Sequence, residues 1–305
     1  MLKAFKEMEA DFNGEQQGVV VTAVTAQYTL HKGKRWFTNN AFLKPVRYIR
    51  SNLKVVTNVR ITKILINSSS KKAYGVEYKM NNELSSYYIA TTKKEVILSA
   101  GAINFPQILI ISGIGPKTVL DYFDFGIALI LDLKIRFNLQ DHVTSSDVEF
   151  ILNENTQQIY LSICCHQLDP WPQPELSKQL LSIIVVLLQP KSRGRVKLDS
   201  NDPLTNALIY SNYFAEEIDI QSLIKGLLFG VKLSRTNSLI SKGYTLITDF
   251  LTFGTEPYWR CALRTNTKSI NHPGGTCKMG PYNNTDLVVD PQLKVYGIAN
   301  LRVVE

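Results

Sequence analysis

The clearest periodicity in the chain lies between residues 215 and 234, where Ile220, Leu223, Ile224, Leu227, Leu228 and Val231 recur at three- and four-residue intervals. That spacing puts the apolar side chains on one stripe of a helix, and such a stripe faces a core. From 54 to 67 the pattern changes: β-branched residues alternate with polar ones until a Ser/Lys cluster ends the run. Period-two alternation predicts a strand. Residues 73–79 and 85–90 follow, joined through Asn81 and Asn82, so the economical arrangement is a three-stranded antiparallel meander. Residues 94–99 then form a short, almost wholly apolar run that ends at Ala100 and Gly101. Such a run predicts a buried parallel strand feeding the amino terminus of a helix. The helix is expected over 104–111 and should stop at Ser112–Pro116, where two glycines and a proline interrupt it.

A second helix is expected over 117–125. Residues 143–190 are less regular, with a Pro-rich loop at 169–174 and an apolar strand at 180–188, and residues 193–198 read as a turn into another strand. There is no internal repeat and no low-complexity tract. The change of pattern near 143 marks a boundary between two lobes, and the fold class expected is α/β plus α+β.

Composition narrows the possibilities. The chain has 305 residues, 45% hydrophobic and 20% charged. That is enough for one large or two ordinary domains with a real core, and it excludes disordered and collagen-like chains. The longest apolar run, 180–188, is about half of the roughly 20 residues a membrane-spanning helix requires, so no membrane span is expected. The first residues alternate apolar and charged positions and contain no apolar stretch of the secretory type, so the chain as written is not expected to be exported. The net charge of +8 is scattered: residues 32–35 and 191–197 are its densest pieces and lack interleaved aromatics, so nucleic acid is not the expected partner.

The candidate chemistry is concentrated in Asn271 to Gly280, which packs His272, Thr276, Cys277 and Met279 among three glycines. Glycine lets backbone approach a ligand closely, and an imidazole titrates near neutrality, so His272 suits general-base work or, more plainly, a hydrogen-bonded turn. Ala100 and Gly101 sit where a strand feeds a helix, the place at which α/β folds present amide groups to phosphates. The full G-x-G-x-x-G fingerprint, a Walker loop, a G-x-S-x-G elbow and H-E-x-x-H are all absent from the sequence. Cys164, Cys165, Cys261 and Cys277 show no zinc spacing, and adjacent Cys164, Cys165 and His166 would point to opposite faces of a strand, so no metal is expected and the thiols read as buried or free. Asp141 and His142 read as a surface ion pair, and His31 has no evident partner. Sequons at Asn67 and Asn283 matter only in a secretory compartment.

Taken together, the blocks resemble the glucose-methanol-choline flavin oxidoreductases, particularly the insect glucose-dehydrogenase-like branch. Gly101 to Pro116 resembles that family's second signature. Asn138 to His142, Pro190 to Val196, His272 to Gly280, Val288 to Gly297 and Asn300 to Val304 resemble further blocks in the family's order, and Asp11 to Glu15 and Gly33 to Pro45 fit the insect pattern. The resemblance implies FAD as cofactor, an alcohol or sugar as substrate, a quinone or oxygen as electron acceptor, and hydride transfer to flavin N5. It implies that His272 is the catalytic base, that the backbone of Ile61 contacts the adenine end, and that Ala100 and Gly101 lie beside the ribityl and phosphate portion. It also implies a partial, Rossmann-like FAD-binding lobe over 1–145, a substrate lobe of antiparallel sheet and helices over 146–285, and a return to the first lobe over 286–305; relatives of this branch are often extracellular.

The departures are specific. By the family pattern the chain begins after the G-x-G-x-x-G turn and stops before the segment with the second active-site His or Asn. The stretch from Asp141 to Pro190 is short, Phe105 stands for a small hydroxyl residue, Arg136 for Gly and Gly274 for Val. They leave a second reading open, that of a flavin-free remnant, inactive and serving as a binding module.

Overall fold

The computed structural model describes Ala4, Glu7 and residues 28–81, 86–118, 126–152, 180–246, 255–281 and 286–304. Most of the expected helix at 117–125, the Pro-rich loop at 169–174, Cys164, Cys165, His166, the sequon at Asn283 and the block Asp11 to Glu15 lie outside the described residues.

In chain order the elements are β1 (Leu30–His31), β2 (Lys34–Arg35), a π-helical turn (Asn39–Leu43), β3 (Val59–Asn67), β4 (Lys72–Met80), β5 (Tyr88–Thr91), β6 (Val96–Leu98) and α1 (Gly101–Ile111). They continue with β7 (Phe137–Leu139), β8 (Val143–Leu152), β9 (Leu180–Leu187), β10 (Gly194–Lys197), β11 (Leu208–Tyr210), α2 (Glu217–Ser234) and α3 (Asn237–Ile240). The last are β12 (Tyr244–Leu246), α4 (Glu256–Asn266), β13 (Lys268–Ser269) and β14 (Leu301–Val303).

The meander forms as the alternation predicts, antiparallel in the order β3-β4-β5. Its register depends on Gly75, where a Cβ would lie 2.5 Å from the carbonyl oxygen of Ala90. Ser112, just past α1, donates its hydroxyl to the carbonyl of Ile108 (2.6 Å) and accepts from the backbone of Ile64 (2.8 Å), which ties the sheet to the helix end.

The strand expected at 94–99 is corrected by the structure. Only Val96–Leu98 is extended; it pairs in parallel with β14, and Ile97 is 57% exposed. The apolar run therefore belongs to a short, two-stranded ribbon with one open face, not to a strand buried on both sides. α1 also begins earlier than expected, at Gly101, and it contains Pro106. Proline has no N–H, so the carbonyl of Ala102, four residues back, lacks its ordinary i→i−4 helical bond.

α2 follows the apolar stripe, with Ile220, Leu223 and Leu227 almost wholly buried. It covers the sheet in which β8 is paired by β9, β12 and β13, all antiparallel. β8 and α4 were not legible from periodicity: polar residues interrupt the first, and the second is short. α4 is started by Thr255, whose side chain accepts from the backbone of Tyr258, with a proline in the first turn.

Among the described residues two large hydrophobic cores result, with two small clusters beside them. One gathers Ile64, Leu98, Phe105, Leu109, Val288 and Leu301 from both ends of the chain. The other gathers Val143, Ile220, Leu223, Leu227, Trp259 and Leu263. Each fully buried large side chain contributes roughly 1.5–3 kcal/mol. Phe105 is wholly buried in the first, so the residue that stands for a small hydroxyl residue is core. Among the described residues no helix is long and apolar enough to cross a membrane.

Candidate functional site

Two segments far apart in sequence lie side by side and antiparallel. The backbone of Arg136 donates to Thr276 (3.2 Å), Gln140 and Gly274 exchange both bonds (3.0 and 2.8 Å), and Ile270 donates to His142 (3.2 Å). β13 continues the pairing on β8, with Ser269 opposite Val143 and Lys268 opposite Thr144. Gly275, at φ +86°, permits the close approach, because a Cβ there would lie 2.7 Å from the carbonyl oxygen of Asn138 and 2.9 Å from its amide nitrogen. The side-chain amide of Asn138 donates to the carbonyl of Gly275 (3.0 Å). This zipper brings the block Asn138 to His142 against the block His272 to Gly280.

At its centre sits Asp141. The expected surface ion pair with His142 is corrected: Asp141 is 8% exposed, and its carboxylate accepts from three donors. Oδ1 accepts from the backbone of His272 (3.0 Å), and Oδ2 accepts from the hydroxyls of Tyr213 (2.8 Å) and Ser269. A buried carboxylate bonded in this way holds the turn at 269–272, where Asn271 takes φ +62° and donates its N–H to Ser269 Oγ (2.9 Å). Burial, together with the hydrogen bond to Asp141 and its charge, pushes the Tyr213 phenol up to about 12. Tyr213 therefore remains a donor at ordinary pH.

His272 is exposed. Its Nδ1 lies 2.9 Å from Nδ1 of His142, and the two rings cross at 73° with centroids 5.1 Å apart. His31 also has a partner: its ring lies against Trp36, centroids 4.7 Å apart.

The other singled-out residues gather at a different place. Ile61 and Ala100 line one cleft of about 140 Å³, together with Asn104, Gln107 and Ile108. Gly101 adjoins it at φ +80°, and no atom lies within 4 Å of where its Cβ would be, so backbone there is open to a ligand. The positions assigned by resemblance to different portions of a dinucleotide thus share a single cleft. The two places are connected by Thr276, which is fully buried and donates its hydroxyl to the carbonyl of Ala102 (2.6 Å). That is the carbonyl which Pro106 leaves without its ordinary helical bond.

Comparison with known proteins identifies the family. The amino- and carboxy-terminal models of the GMC oxidoreductase family match residues 4–144 and 190–305. The chain belongs to the GMC oxidoreductase family. It is 32% identical to glucose dehydrogenase (FAD, quinone) of Drosophila pseudoobscura pseudoobscura, an alignment that covers 100% of this chain and 57% of the relative. It is 30% identical to alcohol dehydrogenase (acceptor) of Pseudomonas putida, over 100% of this chain and 61% of that protein. The chain thus spans somewhat over half the length of these curated relatives. Among solved structures, pyridoxine 4-oxidase from Mesorbium loti has a TM-score of 0.75 at 21% identity, covering 90% of this chain and 57% of that one. An FAD-dependent oxidoreductase from Chaetomium thermophilum has a TM-score of 0.73 at 22% identity, covering 88% and 59%. The fold is the mixed α/β arrangement of these oxidoreductases.

Tyr213 and Ser269 carry no local signal of their part in the site, and Thr276 is visible only as a member of the His272 block. Asp141 and His142 are visible as neighbours, but nothing local shows that a segment 130 residues away will bury one and meet the other. Pro106 inside an apolar helix was the one local signal that a carbonyl would need an outside donor.

Proposed function

We propose that this chain carries part of an FAD-dependent oxidoreductase acting on the CH–OH group of an alcohol or sugar, with His272 as the base. One observation carries the reading: the loop bearing His272 is hydrogen-bonded through Thr276 to the first turn of α1, beside the open backbone of Ala100 and Gly101. The cofactor fits this chain's residues at that point, because the exposed Gly101 backbone and the cleft edge at Ile61 and Ala100 would hold a portion of a dinucleotide without steric cost. FAD, when bound, supplies the acceptor for the hydride that leaves the alcohol carbon.

The chain's own part is acid–base work. As the substrate O–H bond breaks, an imidazole nitrogen of His272 takes the proton. Asp141 fixes the backbone on which that imidazole stands, by accepting from the His272 N–H. The names of the relatives, with quinone or an unspecified acceptor, support a quinone as the reoxidant, with oxygen as the other candidate. The lobes proposed are 1–145 with 286–305 on the cofactor side and 146–285 on the substrate side; the two largest cores support this division in the main, with Cys277 in the first, Val143 in the second and a small Ile110–Leu198 cluster crossing it.

The test is the visible spectrum of the purified chain after incubation with FAD and gel filtration. A flavin band that travels with the protein, bleached anaerobically by alcohols or sugars in wild type but not in His272→Ala, is the expected result. A colourless protein would favour the flavin-free binding module, and bleaching that survives in His272→Ala would remove the histidine from the chemistry.

A further inference from the structure

We propose that His142 is a positioning residue for His272, holding it through the Nδ1···Nδ1 contact in the tautomer whose Nε2 is free to accept a proton. This rests on the reading of His272 as the base, and it names a residue that the family resemblance does not single out.

At 2.9 Å the two ring nitrogens are at hydrogen-bond distance, and such a bond requires one proton between them. Two lone pairs facing each other at that separation would repel. If His272 Nδ1–H donates, its Nε2 carries a lone pair and can take the proton of a substrate hydroxyl. If His142 donates instead, a neutral His272 bears its proton on Nε2 and has no lone pair left for the substrate. The function of His272 therefore depends on which ring donates.

The surroundings favour donation by His272. Asp141 accepts from the Tyr213 and Ser269 hydroxyls and the His272 backbone, and its carboxylate bonds to neither imidazole ring. The acceptor within reach of His272 Nδ1–H is therefore His142 Nδ1. When Nε2 takes a proton, the resulting imidazolium donates from Nδ1 to a neutral imidazole, and a charge-assisted bond of that kind is roughly twice as strong as a neutral one. The contact thus stabilises the protonated product more than the resting base. Asp141 and Tyr213 are the other ionisable groups bonded into this cluster: the first supplies negative charge, and the second stays neutral.

The geometry is held from both sides. His142 is the residue before β8, and its carbonyl accepts from Ile270 (3.2 Å); His272 is tied by its N–H to Asp141. Neither ring needs to move for the bond to persist.

The experiment uses the whole chain, labelled with ¹⁵N at histidine, and reads which imidazole nitrogens carry protons at a pH where both rings are neutral. The chain has four histidines, so single substitutions assign every signal. In wild type the expected result is a His272 protonated on Nδ1. In His142→Phe that tautomer should be lost in favour of the Nε2–H form common in free histidine. In His142→Asn, whose side-chain oxygen is again an acceptor, it should return. Should the Phe variant not fold, His142→Ala provides the acceptor-free comparison. A His272 tautomer that is Nε2–H in wild type, or unchanged when the acceptor is removed, would overturn the proposal. This outcome is separate from failure of the base assignment, which appears only as an active His272→Ala protein.

Discussion

Arg136 takes φ +80°, a region that suits glycine and strains a residue with a side chain; the residue is 7% exposed, with Nε and Nη1 unpaired among the described residues. Burial, with Arg195 nearby, holds the guanidinium below the usual arginine range, and the ring of Phe137 at 4.7 Å offers a partial compensation. The backbone bonds to Thr276 and from Val196 need no side chain. Arg136→Gly is therefore expected to raise stability by roughly 1–2 kcal/mol, as strain and an unpaired buried cation are removed together. A lower urea midpoint would show that the guanidinium is held by something stronger than Phe137. Tyr213 gives a pH dependence with a definite sign. Its folded value of about 12 exceeds the unfolded value of 10, so the stability it contributes is complete below pH 10 and is lost as pH rises toward 12. An ultraviolet phenolate titration of wild type minus Tyr213→Phe should show the last tyrosine ionising near the upper value, and a midpoint near 10 would contradict the bond to Asp141.

α1 shows how an element is completed by a distant one. Pro106 would ordinarily weaken a helix, yet here the carbonyl it leaves without its ordinary helical bond accepts the Thr276 hydroxyl and fastens the loop that carries His272. Thr276→Val should cost about 1–3 kcal/mol, because it leaves a buried carbonyl without a donor. Pro106→Ala restores an N–H to the helix interior. In that background the cost of Thr276→Val should fall by about 1 kcal/mol, the signature of two groups serving one acceptor. A urea-denaturation cycle reads this directly; strict additivity would mean that the two residues act independently. The same economy appears in the zipper between 136–144 and 268–276, where Gly275 is the one position at which a side chain would collide with Asn138 and Gln140.

At the scale of the whole molecule, two cores are joined by that zipper. Phe105 belongs to one and Trp259 to the other, and both side chains are wholly buried. Truncation of either to Ala is expected to cost about 3–5 kcal/mol. Hydrogen exchange should place the loss differently: around β3, α1 and β14 for Phe105→Ala, and around β8, α2 and α4 for Trp259→Ala. Uniform loss of protection in both variants would mean that the lobes unfold as a single unit. The candidate site lies between them, so its geometry depends on both.

Local pattern was enough for the meander, for α2 and for the family blocks, because period two, period 3.6 and a run of motif residues are each complete within a short stretch of chain. It was also enough to single out His272, since a histidine among glycines needs no distant information to look reactive. The meeting of β6 with β14, the pairing of β8 and the burial of Asp141 depended on segments between about 30 and 200 residues apart, which no short window on the sequence contains. The reading of Asp141 and His142 as an ion pair failed for that reason: adjacency in sequence suggested that they serve each other, whereas antiparallel packing gave Asp141 to Tyr213 and Ser269 and gave His142 to His272. The sequence by itself determined the meander, α2 and the chemistry available. Tertiary structure decided which groups face one another, because hydrogen bonds and burial are set by distance in space and not by distance along the chain.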